Sequence, residues 1–524
     1  MRIVVPILLI AACSSSPDSV APPVQPALPD VPESLDTPEP PAPPLAKRGP
    51  ELRGFQVMRG DLHVHSIWSH DACDGHGTDE AGAPDLPCLG EYRAGACASG
   101  LEFTFLTDHP AHMSERPFED LLLYDAAAGD TLSRSADGKP YANTIHCAAG
   151  IAGPAHDLVI AVGFEGTHTM PVRLGEHLPE KSEHTSNTED TPVGEMQTVL
   201  ADVHGVGGLL LNAHSEQADV TAERLIALPV DGMEVYNIHA NFTVLLKEQF
   251  DKLFDLEAFL GPADAAPEPN TALLLLLELF PEPGIQKWYQ VIASAHVTGV
   301  VGADVHQNVN LDGWCTPGGQ IEAICSSFEE DNPNLVRTLK KGGPLLLPDG
   351  ERIDSYPRVF RWLHNRVLVT EASANGIRDG LEAGRNVVVF SVFGEPAGLD
   401  FRAEAKGAVV ELGGTVALAD APEVIFQVPD APVALPWSGF HADEADKAAL
   451  QVRVLRAGKD GTLTVLHDAP AAFGAEVRIK PDAVGPVHVE VLIKPRHMAR
   501  ALRSRADLVE RSYRWLVVNP IWVK

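Results

Sequence analysis

A series of apolar, β-prone segments in this chain ends in an imidazole or a carboxylate, and this repetition limits the possible folds strongly. Residues 60–66 (GDLHVHS) predict a short strand, on which His63 and His65 point to the same face. The other segments end in, or contain, these polar residues: Asp108 and His109 after 103–107, Glu165 after 158–164, His214 after 207–213, Glu234 within 232–236, and Asp304 and His306 after 300–303. The pattern predicts a barrel of parallel strands that carry ligands at their carboxyl ends.

Each of these positions, taken alone, has an ordinary structural explanation. A histidine after a strand is often a polar loop residue, and an aspartate before a helix is often an N-cap. These ordinary roles do not explain the set as a whole. Many imidazoles and carboxylates near the ends of buried strands need a compensating charge. Metal ions supply such a charge, so we expect these residues to form a metal site.

The motifs resemble those of the PHP (polymerase and histidinol phosphatase) metallohydrolases. The matching segments, in the order of that family, are 60–66 (GDLHVHS) with 69–71 (SHD), 100–103 (GLEF) running to 107–109 (TDH), 163–165 (GFE), 212–214 (NAH) and 302–306 (GADVH). Residues 232–237 (GMEVYN) and 519–523 (NPIWV) are more similar to the branch that includes carbaryl esterase. The resemblance covers roughly residues 55–395.

The resemblance implies an α/β fold, an irregular seven-stranded (β/α) barrel with two or three divalent ions of zinc, manganese or iron. The ligands that it implies fall into three groups: His63 and His65 with Asp304 for a first ion, Glu165 as a bridge to a second ion that His214 binds, and Asp71, His109 and His306 for a third ion.

Some ligand positions stay open. The family usually has another histidine between the Glu165 and His214 motifs, and the candidates are His168, which we favour, His177 and His184. His70 competes with Asp71 for the third ion. Asp108 is expected to orient His109 or to assist the reaction, and Glu234 is as consistent with a structural role as with a functional one.

The expected chemistry follows from such a cluster. Metal ions lower the pKa of a bound water, so hydroxide is available near neutral pH, and they neutralise charge that develops in the transition state. The chain has no Gly-x-Ser-x-Gly, phosphate-loop or Rossmann glycine motif. We expect a metal-dependent hydrolase that uses metal-bound water against a small phosphoester or a carboxylic or carbamic ester. The alternative is a non-catalytic, metal-bearing surface lipoprotein with a binding role.

The first residues predict export. Met1 and Arg2 precede an apolar run that is too short to span a bilayer stably, and 10–13 (IAAC) resembles a bacterial lipobox. Residues 1–13 are therefore expected to be a signal peptide, with Cys13 lipidated and anchoring the protein in a membrane. Residues 14–54 would form a disordered, Pro-rich tether. Since Ser14 and Ser15, rather than an aspartate, follow Cys13 directly, we expect the outer membrane of a Gram-negative cell envelope.

The cysteine count agrees with export. Of seven cysteines, Cys13 leaves an even number, which suggests disulfides in an exported protein: Cys73, Cys88, Cys97, Cys147, Cys315 and Cys325. Cys315 and Cys325 flank a short loop after His306 and are close enough in sequence to pair with each other. The other pairings stay open.

Length and charge set the remaining limits. The chain has 524 residues, enough for a metallohydrolase barrel at 55–394 and an accessory antiparallel β-sandwich at 395–524, where short β-prone runs alternate with turn signals. The formal net charge of -32 argues against nucleic acid as a partner, because binding to nucleic acid depends on cationic groups. A small ester held by metal ions is compatible with an acidic surface.

Overall fold

The computed structural model describes residues 52–524 except 110–115, 151–152, 229, 242–249, 263–265, 269–270, 272–273, 275–281, 316–317, 320–321 and 436. The predicted signal peptide, Cys13 and nearly all of the predicted tether lie outside the described residues.

Strands dominate the described chain. In chain order they are β1 (Gln56–Val64), β2 (Phe103–Leu106), β3 (Thr131–Arg134), β4 (Pro140–Cys147), β5 (His156–Val162), β6 (Met170–Val172), β7 (Leu209–Asn212), β8 (Gly232–Asn237), β9 (Thr298–Gly302), β10 (His364–Val369), β11 (Asn386–Val389), β12 (Glu395–Pro396), β13 (Asp400–Ala405), β14 (Ala408–Glu411), β15 (Thr415–Val416), β16 (Glu423–Gln427), β17 (Pro432–Val433), β18 (Ala449–Ala457), β19 (Leu463–Ala471), β20 (Glu476–Ile479), β21 (Gly485–Lys494) and β22 (Tyr513–Val523).

The α-helices alternate with strands mainly in the first three quarters of the chain. They are α1 (Leu86–Ala98), α2 (Phe118–Leu121), α3 (Glu180–Glu183), α4 (Val193–Gly205), α5 (Ala222–Ala227), α6 (Glu282–Ile292), α7 (Glu322–Phe328), α8 (Pro333–Lys341), α9 (Tyr356–Val359), α10 (Ala374–Glu382) and α11 (Ala499–Leu502). Among the described helices, none is both long and apolar enough to cross a membrane.

The described strands form four sheets. The largest has the order β19-β18-β21-β22-β11-β10-β1-β2-β5-β4-β3, with β15 beside β22; the others are β6-β7-β8-β9, β14-β13-β16-β20 and β12-β17. The strands β1, β2 and β5 are parallel, and so are β7, β8 and β9. The predicted mixed α/β class and a sheet-rich C-terminal region are confirmed.

Backbone hydrogen bonds join the sheet of β1 to the sheet of β9. The N–H of His65 donates to the carbonyl of Val305 over 3.1 Å, and the N–H of Asp304 donates to the carbonyl of His63 over 2.8 Å. At β5 and β6, the N–H of Leu174 donates to the carbonyl of Val162 over 2.7 Å. The carboxyl ends of the parallel strands therefore meet at one edge, where the polar residues of the sequence pattern lie.

The alternation predicted for β1 is present. Leu62 and Val64 are fully buried in apolar clusters, and the first of them packs with Phe103 and other side chains of the neighbouring strands. His63 and His65 are equally buried on the opposite face. Gly302 at the end of β9 allows this approach, because a Cβ there would lie 2.6 Å from the Cβ of His63.

The C-terminal strands continue the sheet that contains β1. α10 and β11 precede residue 394, and the β-prone runs predicted after it correspond to β14, β16, β18, β19 and β21. β22 pairs antiparallel with β11, with Val388 opposite Val517. The predicted division at 394/395 therefore falls inside one continuous sheet, and a separate sandwich stays a prediction.

Candidate metal centre

His63, His65, Glu165 and Asp304 form a fully buried group whose ligand-capable atoms all lie within 4.8 Å of one another. Nε2 of His63 lies 3.4 Å from Oε2 of Glu165 and 3.2 Å from Oδ1 of Asp304. Nε2 of His65 lies 3.3 Å and 3.2 Å from the same two oxygens. Both Nε2 atoms and Oδ1 of Asp304 are buried without a hydrogen-bond partner.

The donor atoms of this group fit a divalent ion. Atoms bound to one ion at 2.0–2.2 Å lie about 3.3–3.6 Å apart at tetrahedral angles, and the separations between nitrogen and oxygen here, 3.2–3.4 Å, are close to the lower end of that range. Buried polar atoms without partners are costly, and an ion between them would satisfy all of them. Imidazole nitrogen and carboxylate oxygen together suit zinc, manganese or iron.

A second group shares His65 and adds Asp71, His109 and His306. Oδ2 of Asp71 lies 3.4 Å from Nε2 of His109 and 3.4 Å from Nε2 of His306. The rings of His65 and His306 stack at 3.7 Å. Burial lowers the pKa of His109, but Asp71 and Glu165 outweigh it and raise that pKa to about 9. The geometry again suits an ion, in a position that is more open to solvent.

Glu165 faces two sides of the centre. Its Oε2 faces His63 and His65, whereas its Oε1 lies 2.6 Å from Nε2 of His214. Nε2 of His214 also lies 3.7 Å from Oδ2 of Asp304. This is the arrangement that a bridging carboxylate needs, and the bridging role itself stays a prediction.

Polar neighbours orient these ligands through their second atoms. Oε1 of Glu234 accepts from Nδ1 of His63 over 2.8 Å, and its Oε2 accepts from the backbone N–H of His214 over 2.8 Å. Nδ2 of Asn237 donates to Oδ2 of Asp304 over 3.1 Å, and Oγ of Ser69 lies 2.9 Å from Nδ1 of His65. Hydrogen bonds of this kind fix the ring orientation, so each Nε2 faces the centre.

The electrostatics keep the carboxylates ionised. Burial raises the pKa of Glu165, but the imidazoles of His214 and His63 outweigh it and hold that pKa well below its ordinary value. Burial and the ring of His306 lower the pKa of His65 to about 4. Ionised carboxylates and a neutral His65 are the protonation states in which these groups bind metal, whereas the neighbouring carboxylates raise the pKa of His63 and His214, which would each release a proton to bind an ion.

Backbone strain concentrates at this centre. His168, His214, Asp304 and Gln307 have φ values of 57°, 50°, 52° and 55°, in the left-handed region that residues other than glycine rarely adopt. Such conformations persist only where the surrounding structure enforces them, and they are typical of functional sites.

The remaining predicted candidates lie in different surroundings. His168 lines a cavity together with Glu165 and His214, and its Nε2 lies 2.9 Å from Oδ2 of Asp219. His184 lines the same cavity. His177 lies elsewhere, because its Nε2 donates to the carbonyl of Arg116 over 2.9 Å. The choice of the additional ligand therefore stays a prediction.

The structure brings Asp71, rather than the competing His70, into the second group. His70 is exposed at the wall of the cavity, with its ring 5.1 Å from that of His109. Both carboxylate oxygens of Asp108 accept from Ser66, from its N–H over 2.6 Å and from its hydroxyl over 2.8 Å. Asp108 thus holds the turn after His65, and burial raises its pKa to about 6.

His239 was not among the predicted ligands, yet it forms a third group with Asp304 and His306. Its ring lies 5.0 Å from that of His306. It follows β8 by two residues, so the rule that a polar residue closes each strand would have identified it. The orienting role of Glu234 needed the contact between β8 and β1, which no local pattern reveals.

Two cavities flank the centre. A polar cavity is lined by His109, Glu165, His214 and other polar groups, and a smaller, mostly apolar cavity is lined by His239, Asp304 and His306 together with aliphatic side chains and Trp362. The centre is therefore reachable by a small molecule from the polar side and borders an apolar space.

Three disulfides are present among the described residues, and one of them lies beside the centre. Cys73 pairs with Cys88, Cys97 with Cys147, and Cys315 with Cys325, which confirms the predicted disulfides and the predicted possibility of the last pair. The first pair lies close to Asp71, and the N–H of Cys73 donates to the carbonyl of His306 over 2.9 Å.

Comparison with protein-family models gives no match, and comparison with curated proteins gives none either. Among solved structures, the chain is similar to a two-domain protein from Bacteroides vulgatus ATCC 8482 that contains a predicted PHP-like metal-dependent phosphoesterase. The two chains are 12% identical, the match covers 90% of this chain and 98% of the other, and the TM-score is 0.30. We draw no conclusion from a similarity of this extent.

Proposed function

We propose that this protein is a metal-dependent hydrolase that acts on a small ester, either a phosphoester or a carboxylic or carbamic ester. The observation that carries the proposal is the buried group of His63, His65, Glu165 and Asp304, whose facing donor atoms lie 3.2–3.4 Å apart. Together with the second group and His214, it offers ligands for two or three ions.

The protein's own groups prepare the site for hydrolysis. When bound, divalent ions of this kind activate water and stabilise negative charge on a substrate oxygen. Glu165 and Asp304 supply fixed negative charge, and Glu234 orients the imidazole of His63. The polar cavity beside His109 and His214 would admit the substrate.

Metal analysis followed by ester assays tests this proposal. The purified wild type should contain about two to three ions per chain and should cleave at least one of p-nitrophenyl phosphate, bis-p-nitrophenyl phosphate and p-nitrophenyl acetate. His63→Ala should lose metal and at least about a hundredfold in activity. His146→Ala is the matched control, because His146 is an exposed histidine that pairs with Asp157 on the surface.

The outcomes separate the two functions. If His63→Ala keeps both metal and activity, the hydrolase proposal is wrong. If the wild type binds metal but cleaves none of these esters, the non-catalytic binding role replaces it.

We further propose that β1, β2 and β5 to β9 form the irregular seven-stranded barrel implied by the sequence. The hydrogen bonds between His65 and Val305 and between Leu174 and Val162 support this, because they join the two sheets at separate points. An experimental structure in which either junction is open would contradict the barrel.

We also propose that the protein is exported and anchored to the outer membrane through Cys13. The three disulfides support export, since such bonds persist in oxidising compartments. Globomycin should cause a precursor to accumulate, and Cys13→Ala should release the protein from the membrane fraction. A membrane-bound Cys13→Ala protein would contradict the anchor.

A further inference from the structure

The apolar cavity borders the metal centre directly. Asp304 and His306 form part of its wall, and the rest is mainly aliphatic and aromatic: Ile238, Val305, Val309, Ile353, Val359 and Trp362. Its volume is about 40 Å³. This apolar space differs from a packing defect elsewhere in the core, because two candidate metal ligands form part of its wall.

We propose that this cavity receives a short, uncharged apolar group of the substrate, attached directly to the atom that undergoes hydrolysis. This inference rests on the proposed hydrolase function and adds the size and polarity of the group that the enzyme selects. Asp304 and His306 belong both to the candidate ligand groups and to the cavity wall, so a substrate group inside the cavity would lie beside the ions that these residues would hold.

The charge of the surroundings supports an uncharged group. Among the described residues that line the two cavities, none is lysine or arginine. Four basic residues from other parts of the chain have partners of their own: Arg116 stacks over Trp68, Arg173 donates to the carbonyl of Gly207, Lys181 pairs with Glu195, and Arg358 pairs with Asp349. Apart from imidazoles, the described lining of the two cavities thus offers no side-chain cation, and the carboxylates of Asp304 and Asp354 disfavour an anionic substituent in the apolar cavity.

The volume limits the length of the group. A water-sized unit needs about 10–15 Å³ of such space, so 40 Å³ accommodates a group of roughly three non-hydrogen atoms. Ile353 and Trp362 are 4% and 2% exposed, and these well-packed side chains form part of the wall. Each buried methylene should add roughly fourfold in affinity until the cavity is full, and further carbons should then be excluded.

His239 gives the cavity mouth a polar group. Nδ1 of His63 and Nδ1 of His109 are hydrogen-bonded to protein oxygens, whereas the ring of His239 has no hydrogen-bond partner among the described residues. The imidazole of His239 is therefore available, beside His306, either to an ion of the third group or to a polar substrate atom at the wall of the cavity.

Binding of alkyl hydroxamic acids tests the inference without requiring turnover. These acids are mostly neutral in solution near pH 7; they would bind the metal-loaded, full-length protein as hydroxamates, with release of one proton to the buffer, and direct their uncharged alkyl chain toward the cavity. Calorimetry should show that affinity rises roughly fourfold per carbon from acetohydroxamic to butyrohydroxamic acid and falls at least about tenfold for octanohydroxamic acid. The kcat/KM for hydrolysis of p-nitrophenyl esters should likewise be higher for the butyrate than for the acetate and should fall for the octanoate.

Two variants test whether the cavity determines the preferred chain length. Val309→Phe should fill the cavity and remove the preference for butyrohydroxamic over acetohydroxamic acid, because the partly exposed Val309 can be enlarged without disturbing the core. Ile353→Ala should enlarge the cavity and move the optimum to a longer chain. Ile226→Ala, which lines neither cavity, is the matched control and should leave the order unchanged.

The failures are distinguishable. A metal-loaded protein whose affinity is independent of chain length, or whose chain-length order is the same in Val309→Phe, overturns this inference and leaves the hydrolase function standing. A wild type that takes up no metal overturns the proposed function, and this inference with it.

Discussion

At the scale of single residues, His65 shows how one strand position serves both groups of ligands. Its Nε2 lies 3.3 Å from Glu165 and 3.2 Å from Asp304, and its ring stacks on that of His306. Its Nδ1 is held by Ser69, whose hydroxyl also donates to Asp71 over 3.0 Å. The residue that orients His65 therefore also orients a ligand of the second group.

Glu234 should control metal affinity although it does not face the centre. Glu234→Gln replaces one acceptor oxygen with an NH2 group, opposite either Nδ1 of His63 or the N–H of His214. We expect metal affinity, measured by competition with a chelator, to fall about 10–100-fold. Glu223→Gln is the control, because Glu223 is exposed on α5. An unchanged affinity in Glu234→Gln would show that the orientation of His63 does not depend on this carboxylate.

The ligands at the ends of strands were predictable from the sequence. Residues that orient a ligand on a different strand were not. His63 and His65 share a face because side chains alternate along β1, which is a local property. The hydrogen bond between Glu234 and His63 depends on how β8 packs against β1, and it leaves no trace in either segment. His168 illustrates the limit, since sequence spacing alone does not tell whether its Nε2 faces an ion or Asp219.

At the scale of elements, the bounds of the strands of the site were predicted within about two residues, because each is a short apolar run bounded by polar residues; the exception is β1, which begins at Gln56 rather than at the predicted Gly60. The pairing of β22 with β11 was not predicted. Partners far apart in sequence carry no local signature, and a run that alternates in burial is compatible with several neighbours.

The contact between α6 and β21 contains a buried histidine that should make stability depend on pH. The ring of His488 stacks on Tyr289 at 5.1 Å and meets Trp288 edge-on at 5.3 Å, and neither ring nitrogen has a hydrogen bond. Burial lowers the pKa of His488 to about 4, partly opposed by Glu490 and reinforced by Arg453 and Arg514.

The folded state therefore favours neutral His488. Its contribution to the free energy of unfolding is complete above about pH 6.5 and is lost as the pH falls toward about 4. Between pH 7 and pH 5 this loss should be about 2 kcal/mol. Urea denaturation at pH 7 and at pH 5 measures this loss. Between these two pH values, the free energy of unfolding of His488→Phe should fall by about 2 kcal/mol less than that of the wild type. His76→Phe, at an exposed position, should show the same change in the free energy of unfolding with pH as the wild type. An equal change in all three proteins would show that His488 is not the source of this pH dependence.

At the scale of the whole molecule, buried asparagines connect the C-terminal strand to the strand that leads into Asp304. Oδ1 of Asn519 accepts from the N–H of Gly299 over 2.7 Å, and its Nδ2 donates to the carbonyls of Gly299 and Asn386, each over 2.8 Å. Nδ2 of Asn386 donates to Oδ1 of Asn365 over 2.9 Å. The C-terminal strand thus supports β9 from behind the centre.

Asn519→Leu should destabilise the entire described unit. The change leaves the N–H of Gly299 and the carbonyl of Asn386 without these partners in a site where Asn519 is 1% exposed. We expect a loss of about 3 kcal/mol in the free energy of unfolding, measured with urea. Asn310→Leu, at an exposed turn, should cost about 1 kcal/mol or less. Equal losses of unfolding free energy in Asn519→Leu and Asn310→Leu would mean that the asparagine network does not connect the C-terminal strand to β9.

Anomalous diffraction from crystals grown with manganese or zinc tests the central claim most directly. We expect a peak about 2.0–2.2 Å from Nε2 of His63, Nε2 of His65, Oε2 of Glu165 and Oδ1 of Asp304. The peak should be absent in His65→Ala crystals grown in the same way. Wild-type crystals without a peak at this position, or an equally strong peak in His65→Ala, would contradict the claim that these residues form a metal centre.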